Sequence, residues 1–428
     1  MTEQEEPVKS IIQNKTGIFL LIAGLFLFQD KLQDWWMPFQ YFDEGFAMLA
    51  VPLFVLRTAQ KRTSLAYSKR FIVFLLLLTV FWLFGWAGYF RYQYQPLAEA
   101  VKDSYVNLKF FLATAAAFLI FADGETDFRS LKNTLWPVLR WITVALFVIC
   151  VVDLFFGVFS SEFRGSLRAV KLYYSAYTYL VAHCILMSAM FLWYYDDQEK
   201  KIIPYLLMLA FIVYCTRRVK GFGAIACIVP IYLFILRRQR HLSRKVKIFL
   251  VCAMSLAGAA GLYQLVSYYF VMGTESARAM LTLASPFVAW DHFPTGSGWA
   301  TFGSAFSADP YSPVYGMYRM AGIWGISPSY PAFVSDTYWP MLLAETGYFG
   351  FASFLGALVL FVKLVIPSRK QRPAYASVLM VLLYLLISST SESSLASPMA
   401  VPMAFWIGFL SAQQSKAETE TSIKCENC

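Results

Sequence analysis

The chain has 428 residues, of which 58% are hydrophobic, 18% aromatic and only 14% charged, with a formal net charge of +10. A soluble protein cannot hide that much apolar side chain, whereas a bilayer takes about 20 apolar residues per crossing helix, so composition excludes a soluble enzyme and points to an all-α polytopic membrane protein. The positive charge gathers in short loops between apolar runs and reads as a topology signal, so no nucleic-acid partner is expected.

The opening stretch MTEQEEPVKSIIQNK is polar and acidic and lacks the basic, apolar and small-residue regions of a cleaved signal peptide, so none is expected. Hydropathy and its breaks place about twelve spans, near 16–29, 41–56, 71–90, 105–122, 135–159, 173–195, 202–216, 221–236, 248–270, 337–362, 375–389 and 399–412. On this reading 1–428 is one integral membrane domain, 269–336 a large extracytoplasmic loop, and 413–428 a polar, disordered cytoplasmic tail. Lys and Arg crowd the loops 57–70, 237–247 and 363–372. With twelve spans these fall on one side, together with both termini and YYDDQEKK, and the positive-inside rule makes that side the cytoplasm.

The parity then puts other cations on the far side. YCTRRVKGFGA, between the seventh and eighth spans, carries Arg217, Arg218 and Lys220, and SSEFRGSLRAVK, between the fifth and sixth, carries Arg164, Arg168 and Lys171. The long loop adds Arg278 and Arg319. Each alone reads as an arginine snorkelling to lipid headgroups. Three clusters at one outer face also suit a basic cavity for a phosphate or diphosphate, which arginine grips through paired donors. The same loop is rich in Gly, Pro, Ser and aromatics, and SARAMLTLASPFVAW within it has apolar positions at helical spacing. Its Trp and Tyr fit either an interfacial belt or platforms for stacking sugar rings.

Four stretches in order then resemble the membrane O-antigen ligase and polymerase (WaaL/Wzy) superfamily. CTRRVKGFGA resembles that family's Thr-x-Ser-Arg-Gly turn, with Arg217 or Arg218 in the Arg slot, and TESARAMLTLA resembles its Ser-Gly-Arg-x-x-x-Trp helix start, with Arg278 in the Arg slot. FPTGSGWATFG resembles its Pro-x-x-Gly-x-Gly-x-x-x-Phe loop, placing Gly296, Gly298 and Phe302. DTYWPMLLAETGYFG resembles its His-Asn-x-Tyr-Leu-x-x-Leu-x-Glu-x-Gly segment, placing Glu345 and Gly347. FRGSLRAVKLYYSAY is a weaker match to a fifth motif, and the resemblance covers about residues 160–365. Where the ligases open their last motif with His, this chain has Asp336, which favours the polymerase over the ligase branch.

The resemblance implies a GT-C-like fold and inverting glycosyl transfer from a polyprenyl-diphosphate-linked oligosaccharide, which serves as both donor and acceptor. It needs no cofactor or metal, because cations neutralise the leaving diphosphate. The site is expected to use Arg217, Arg218 and Arg278 on the diphosphate, backed by Arg164, Arg168 and Lys220. Asp336 is expected to be the base or acceptor orienter, or an N-cap of the following span, with Asp291 second. His292 is the one His in the outer loop and reads first as a structural hydrogen-bonder; Arg319 is a second-rank cation. Glu345 is expected to be a buried carboxylate that pairs with an Arg or caps broken backbone. Besides membrane lipids, a chain-length regulator and a flippase are the partners such a polymerase has. A ligase acting on a lipid A core and a flippase or transporter for an anionic lipid-linked glycan remain the alternatives.

Asp30, Asp34, Asp43 and Glu44 show no compact Asp-x-Asp pattern for a divalent ion, and TGSG lacks the strand and helix of a nucleotide phosphate loop. The Cys residues suggest no disulfide framework, and Cys425-Glu-Asn-Cys428 has no second pair to complete a zinc site.

Overall fold

The computed structural model describes residues 15–59, 69–122, 127–164, 166–237, 266 and 276–426. Its helices are α1 (Lys15–Trp35), α2 (Phe42–Met48), α3 (Ala50–Ala59), α4 (Lys69–Tyr92), α5 (Leu97–Phe121), α6 (Phe128–Phe156), α7 (Tyr177–Trp193), α8 (Tyr195–Cys215) and α9 (Val219–Pro230). They continue with α10 (Ala277–Asp291), α11 (Pro313–Met317), α12 (Trp339–Val365), α13 (Arg372–Ser388) and α14 (Ala400–Glu426). Among the described residues, strand is confined to a hairpin of β1 (Phe163–Arg164) and β2 (Leu167–Arg168), in register Phe163 opposite Arg168.

Each expected span within the described residues coincides with helix; the one near 248–270 lies outside them, as does His241. Among the described residues, seven segments are long and apolar enough to cross a membrane: Lys15–Trp35, Met37–Ala59, Lys69–Tyr92, Leu97–Phe121, Phe128–Phe156, Val219–Leu236 and Trp339–Val365. Tyr177–Trp193, Lys201–Cys215 and Arg372–Ser388 are shorter apolar helices. The connection between the first two expected spans is shorter than expected, because α1 runs through Asp30 and Asp34 to Trp35. The tail expected to be disordered from residue 413 instead continues α14 as helix to Glu426.

Local chemistry sets the boundaries. Asp127 caps α6 by accepting from the backbone N–H of Arg129 and Ser130 (3.0 and 3.1 Å), and Gly157, at φ +67°, ends it. Pro230 precedes a π-helical turn, Ile231–Leu236, that closes the α9 segment. Within α12, Gly347 (φ +67°, ψ −178°) breaks the helix between its opening turns and the apolar run that follows.

One continuous core joins α4 to α12, α5 to α14, and α7 to α8 and α13, with Phe81, Phe110, Phe121, Phe354, Trp406 and Phe409 fully buried. Leu76, Leu83, Phe155, Val359 and Leu386 face outward from the long helices, as lipid-facing side chains do. A second, smaller core lies under residues 276–338, where Leu281, Val288, Phe302, Tyr315, Ile326 and Val334 pack together. The long loop is therefore a folded cap over one end of the bundle.

Candidate functional site: a cation cluster at one end of the bundle

The cap is held to the bundle by backbone contacts that leave no room for a side chain. Gly296 (φ +76°) lies so close to the α12 break that a Cβ there would sit 2.4 Å from the Gly347 nitrogen. Just beyond, Glu345 is fully buried and accepts from the backbone N–H of Thr301 (2.9 Å) and Phe302 (3.1 Å). Asp103 of α5, equally buried, accepts from the N–H of Ala300 (2.7 Å) and the hydroxyl of Ser304 (2.6 Å). Glu345 thus holds loop backbone rather than an arginine. Asp103 plays the same part, although in the sequence it stands just before the span near 105–122 and belongs to no motif.

This anchoring sets α10 beside α12 and brings Arg278 to Asp336. Ser276 caps α10, accepting from the Ala279 N–H at 3.5 Å, and Arg278 stands in its first turn. Its Nε (3.2 Å) and Nη2 (2.7 Å) both donate to one carboxylate oxygen of Asp336. The N-cap reading of Asp336 is corrected: the cap residue of α12 is Tyr338, with no side-chain capping bond, because Asp336 is turned to the arginine. Burial pushes the Asp336 carboxyl above its ordinary value, against the pull of Arg278 and, less, of Lys220, while Glu392 adds to the push.

A second ion pair lies alongside. Lys220, in the first turn of α9, pairs with Glu392, which also accepts from the Ser388 hydroxyl. The α13–α14 connection carrying Glu392 is tied to the segment carrying Asp336, because the Ser393 hydroxyl donates to the Ser335 carbonyl at 3.1 Å. Trp339 Nε1 donates to the Ser389 hydroxyl (3.1 Å), joining the same two segments again.

The third part is aromatic. The guanidinium of Arg164, on the hairpin, lies 5.1 Å from the Tyr177 ring centroid, and that of Arg218 lies 5.0 Å from the same ring. Tyr177 donates to Glu162 (2.8 Å), as does Arg164 Nε (2.8 Å). The Tyr177 hydrogen bond and then Arg164 hold the Glu162 carboxyl below its ordinary value against what burial it has. Burial and then Arg164 lower Arg218, while Glu162, Tyr177 and Glu392 act to raise it. Arg164, Arg218, Lys220 and Arg278 therefore form one electrostatic neighbourhood with Glu162, Glu392 and Asp336.

The remaining expected residues stand apart. Arg217 takes a left-handed turn (φ +56°) that throws its guanidinium over the Tyr214 ring, 4.4 Å from its centroid, away from Tyr177. The buried Nε atoms of Arg217 and Arg218 have no hydrogen-bond partner among the described residues. Arg168 is wedged under the hairpin, donating to the Asp153 carbonyl (3.2 Å) and lying over Phe163. Arg319 is exposed in a left-handed turn, and Asp291 accepts from Tyr318 at 2.8 Å. His292 is buried with both ring nitrogens engaged: Nδ1 lies 2.8 Å from the Val288 carbonyl, so it donates there and Nε2 accepts from Tyr94 at 3.2 Å. Trp324 and Tyr330, both exposed, stack at 5.4 Å in the cap.

The acidic residues near the connection between the first two expected spans are spoken for. Lys109 Nζ contacts Asp43 (2.6 Å) and Glu44 (2.9 Å) in the bundle interior, and Asp30 accepts from Ser175. No cluster of His, Cys, Asp or Glu suited to a metal ion occurs among the described residues. Chemically, the arrangement offers several cations from separate segments to one anion with many oxygens, beside a partly exposed carboxylate. No family model matches the chain, and no curated protein matches it.

Proposed function

We propose that the protein is a polysaccharide polymerase of the bacterial cytoplasmic membrane, joining polyprenyl-diphosphate-linked oligosaccharide repeats by inverting, metal-independent glycosyl transfer. Both termini lie in the cytoplasm and the site faces outward. The observation that carries the reading is one run of neighbouring cations, Arg164 and Arg218 against Tyr177, then Lys220 and Arg278, of which the last two act on Asp336. Fixed cations lower the barrier to losing a diphosphate because its charge rises as the bond to the anomeric carbon breaks. A carboxylate beside them takes the proton of the attacking hydroxyl as the new bond forms. Arg278 and Arg218 hold the diphosphate, Lys220 and Arg164 stand behind them, and Asp336 is the base or acceptor orienter.

The test is a reconstituted assay with purified protein and one lipid-diphosphate-linked repeat unit in chelator. A ladder of lengthening glycans is expected from wild type, and a loss of about 100-fold or more from Arg278→Ala or Arg218→Ala. Arg217→Ala is expected to cost far less, since its guanidinium lies over Tyr214. Turnover only with a different acceptor would replace the polymerase by a ligase. No turnover with any acceptor would leave transport.

A further inference from the structure

α10 is apolar on both of its faces. Ala277, Leu281, Ala284 and Val288 are buried in the core of the cap. On the opposite side, between Arg278 and Asp291, the exposed residues are Leu283, Pro286, Phe287 and Trp290, with no polar side chain among them. Phe287 and Trp290 are 65% and 68% exposed. A helix washed by water keeps its outer face polar, whereas one that is apolar all round belongs inside a protein or in lipid.

The exposed face continues onto the bundle. Trp290 lies against Phe293 (6.4 Å between ring centroids), Phe293 against Phe349 of α12 (5.6 Å), and Phe349 against Phe84 of α4 (6.0 Å). Phe293 and Phe349 are exposed too, and they lead to Leu83 of α4 and Val359 of α12, which face outward from those helices.

The break in α12 sets the level at which α10 lies. In a straight helix Trp339 and Phe354 would stand about 22 Å apart along the axis. Their rings are 6.5 Å apart, and the Tyr338 ring is 6.1 Å from that of Phe354. Gly347 therefore folds the opening turns of α12 back along the apolar run as a hairpin. Phe354 packs on Phe81 (4.8 Å), midway along α4. Arg278 is bonded to Asp336, just before Tyr338, while Tyr348 beside the bend donates to the Pro286 carbonyl (3.0 Å). At the far end Arg91 donates to the Phe293 carbonyl (3.4 Å). α10 thus climbs from near the middle of α4, a helix of spanning length, to its Tyr92 end.

We propose that α10 is embedded in the bilayer leaflet at this end of the bundle, with Leu283, Phe287 and Trp290 against the acyl chains of its phospholipids. The inference stands apart from the polymerase reading. The cap is submerged along its α10 edge, which extends the lipid-facing surface of α4 and α12. Arg278 falls on the opposite side of α10 by helical spacing and is matched by Asp336, as a cation at that level requires.

The test uses the full chain in nanodiscs of palmitoyl-oleoyl phosphatidylethanolamine and phosphatidylglycerol. The photoreactive residue p-benzoylphenylalanine replaces Phe287 or, separately, Trp290; both positions already hold exposed aromatic rings, so the fold is little disturbed. Irradiation couples the ketone to a neighbouring C–H group, and mass spectrometry of the α10 peptide shows whether that group belonged to a lipid. Phospholipid adducts are expected at both positions, within about threefold of the yield at Leu83 and about tenfold or more above the yield at Arg319. Adducts at Leu83 but at neither α10 position overturn the proposal. Cross-linking of Phe287 and Trp290 mainly to protein, within the chain or in a second copy, overturns it as well, because protein would then cover the face.

Discussion

The buried charges around Lys109 and the cations around Asp336 are built from the same groups and differ in how far they are withdrawn from solvent. Lys109 is 1% exposed and its ammonium meets both Asp43 and Glu44, while Gln29 donates to Asp43 at 2.9 Å. At the bundle end, Arg278 and Asp336 remain 29% and 26% exposed, and Arg218 keeps a buried Nε without a partner among the described residues. Removing charges from water is tolerated only when they are matched, so the first set is fixed structure. The second set is matched by its own carboxylates at a solvent-accessible end of the bundle, which is where the polymerase reading brings the anion.

The sharpest way to break this comparison is to unbalance the interior set. Lys109→Ala leaves Asp43 buried without its cation and is expected to cost about 3–5 kcal/mol, read as a large drop in melting temperature and in monodisperse yield. A melting point within a degree of wild type would show that the interior charges are not structural, and the contrast with the bundle end would collapse.

Gly296→Ala comes next. The new Cβ would be driven into the Gly347 backbone from a left-handed conformation, so the cap must lift from the α12 break. A loss of about 2–3 kcal/mol is expected. Because Arg278 and Asp336 belong to the cap while Lys220 belongs to the bundle, pyrophosphate binding should weaken as well. Stability lost with binding intact would separate the cap from the cation site. Arg319→Ala, at an exposed position, should leave both within about 0.5 kcal/mol of wild type.

How much of this was legible follows from what each signal depends on. The helices were readable because apolar runs of spanning length need no tertiary partner to declare themselves. Arg164, Arg218, Lys220 and Arg278 were readable as cations standing in short breaks between apolar runs. Their pairing was not. Arg217 and Arg218 are adjacent in sequence, and only the left-handed turn at Arg217 sends one over Tyr214 and the other to Tyr177. Glu392 was missed because SSTSESSLASP reads as an ordinary polar turn; a lone carboxylate in it, on the same side as RRVK, was the available signal. Lys109 offered a stronger one, since a cation inside an apolar run needs a carboxylate from elsewhere, although its partners Asp43 and Glu44 lie farther off in sequence than Asp103.

The smallest expected effect tests Asp336 itself. Burial raises its carboxyl above the ordinary value of 3.8 despite Arg278, so the folded state binds a proton more readily than the unfolded chain. Its contribution to stability is therefore complete below 3.8 and is lost as pH rises through the raised folded value. Glu162 runs the opposite way: held below its ordinary 4.5, it contributes above that value and loses its contribution as pH falls through the lower folded one. The two are separable by variant. The melting temperature of wild type minus that of Asp336→Asn should fall as pH climbs from 3.8 and then level once Asp336 is ionised. A difference that instead grows with pH would mean that Arg278 outweighs burial at this carboxylate. On the polymerase reading Asp336 would then be a resident counter-ion for the diphosphate, and the proton of the attacking hydroxyl would have to go to another group, of which the neighbourhood holds Glu162 and Glu392.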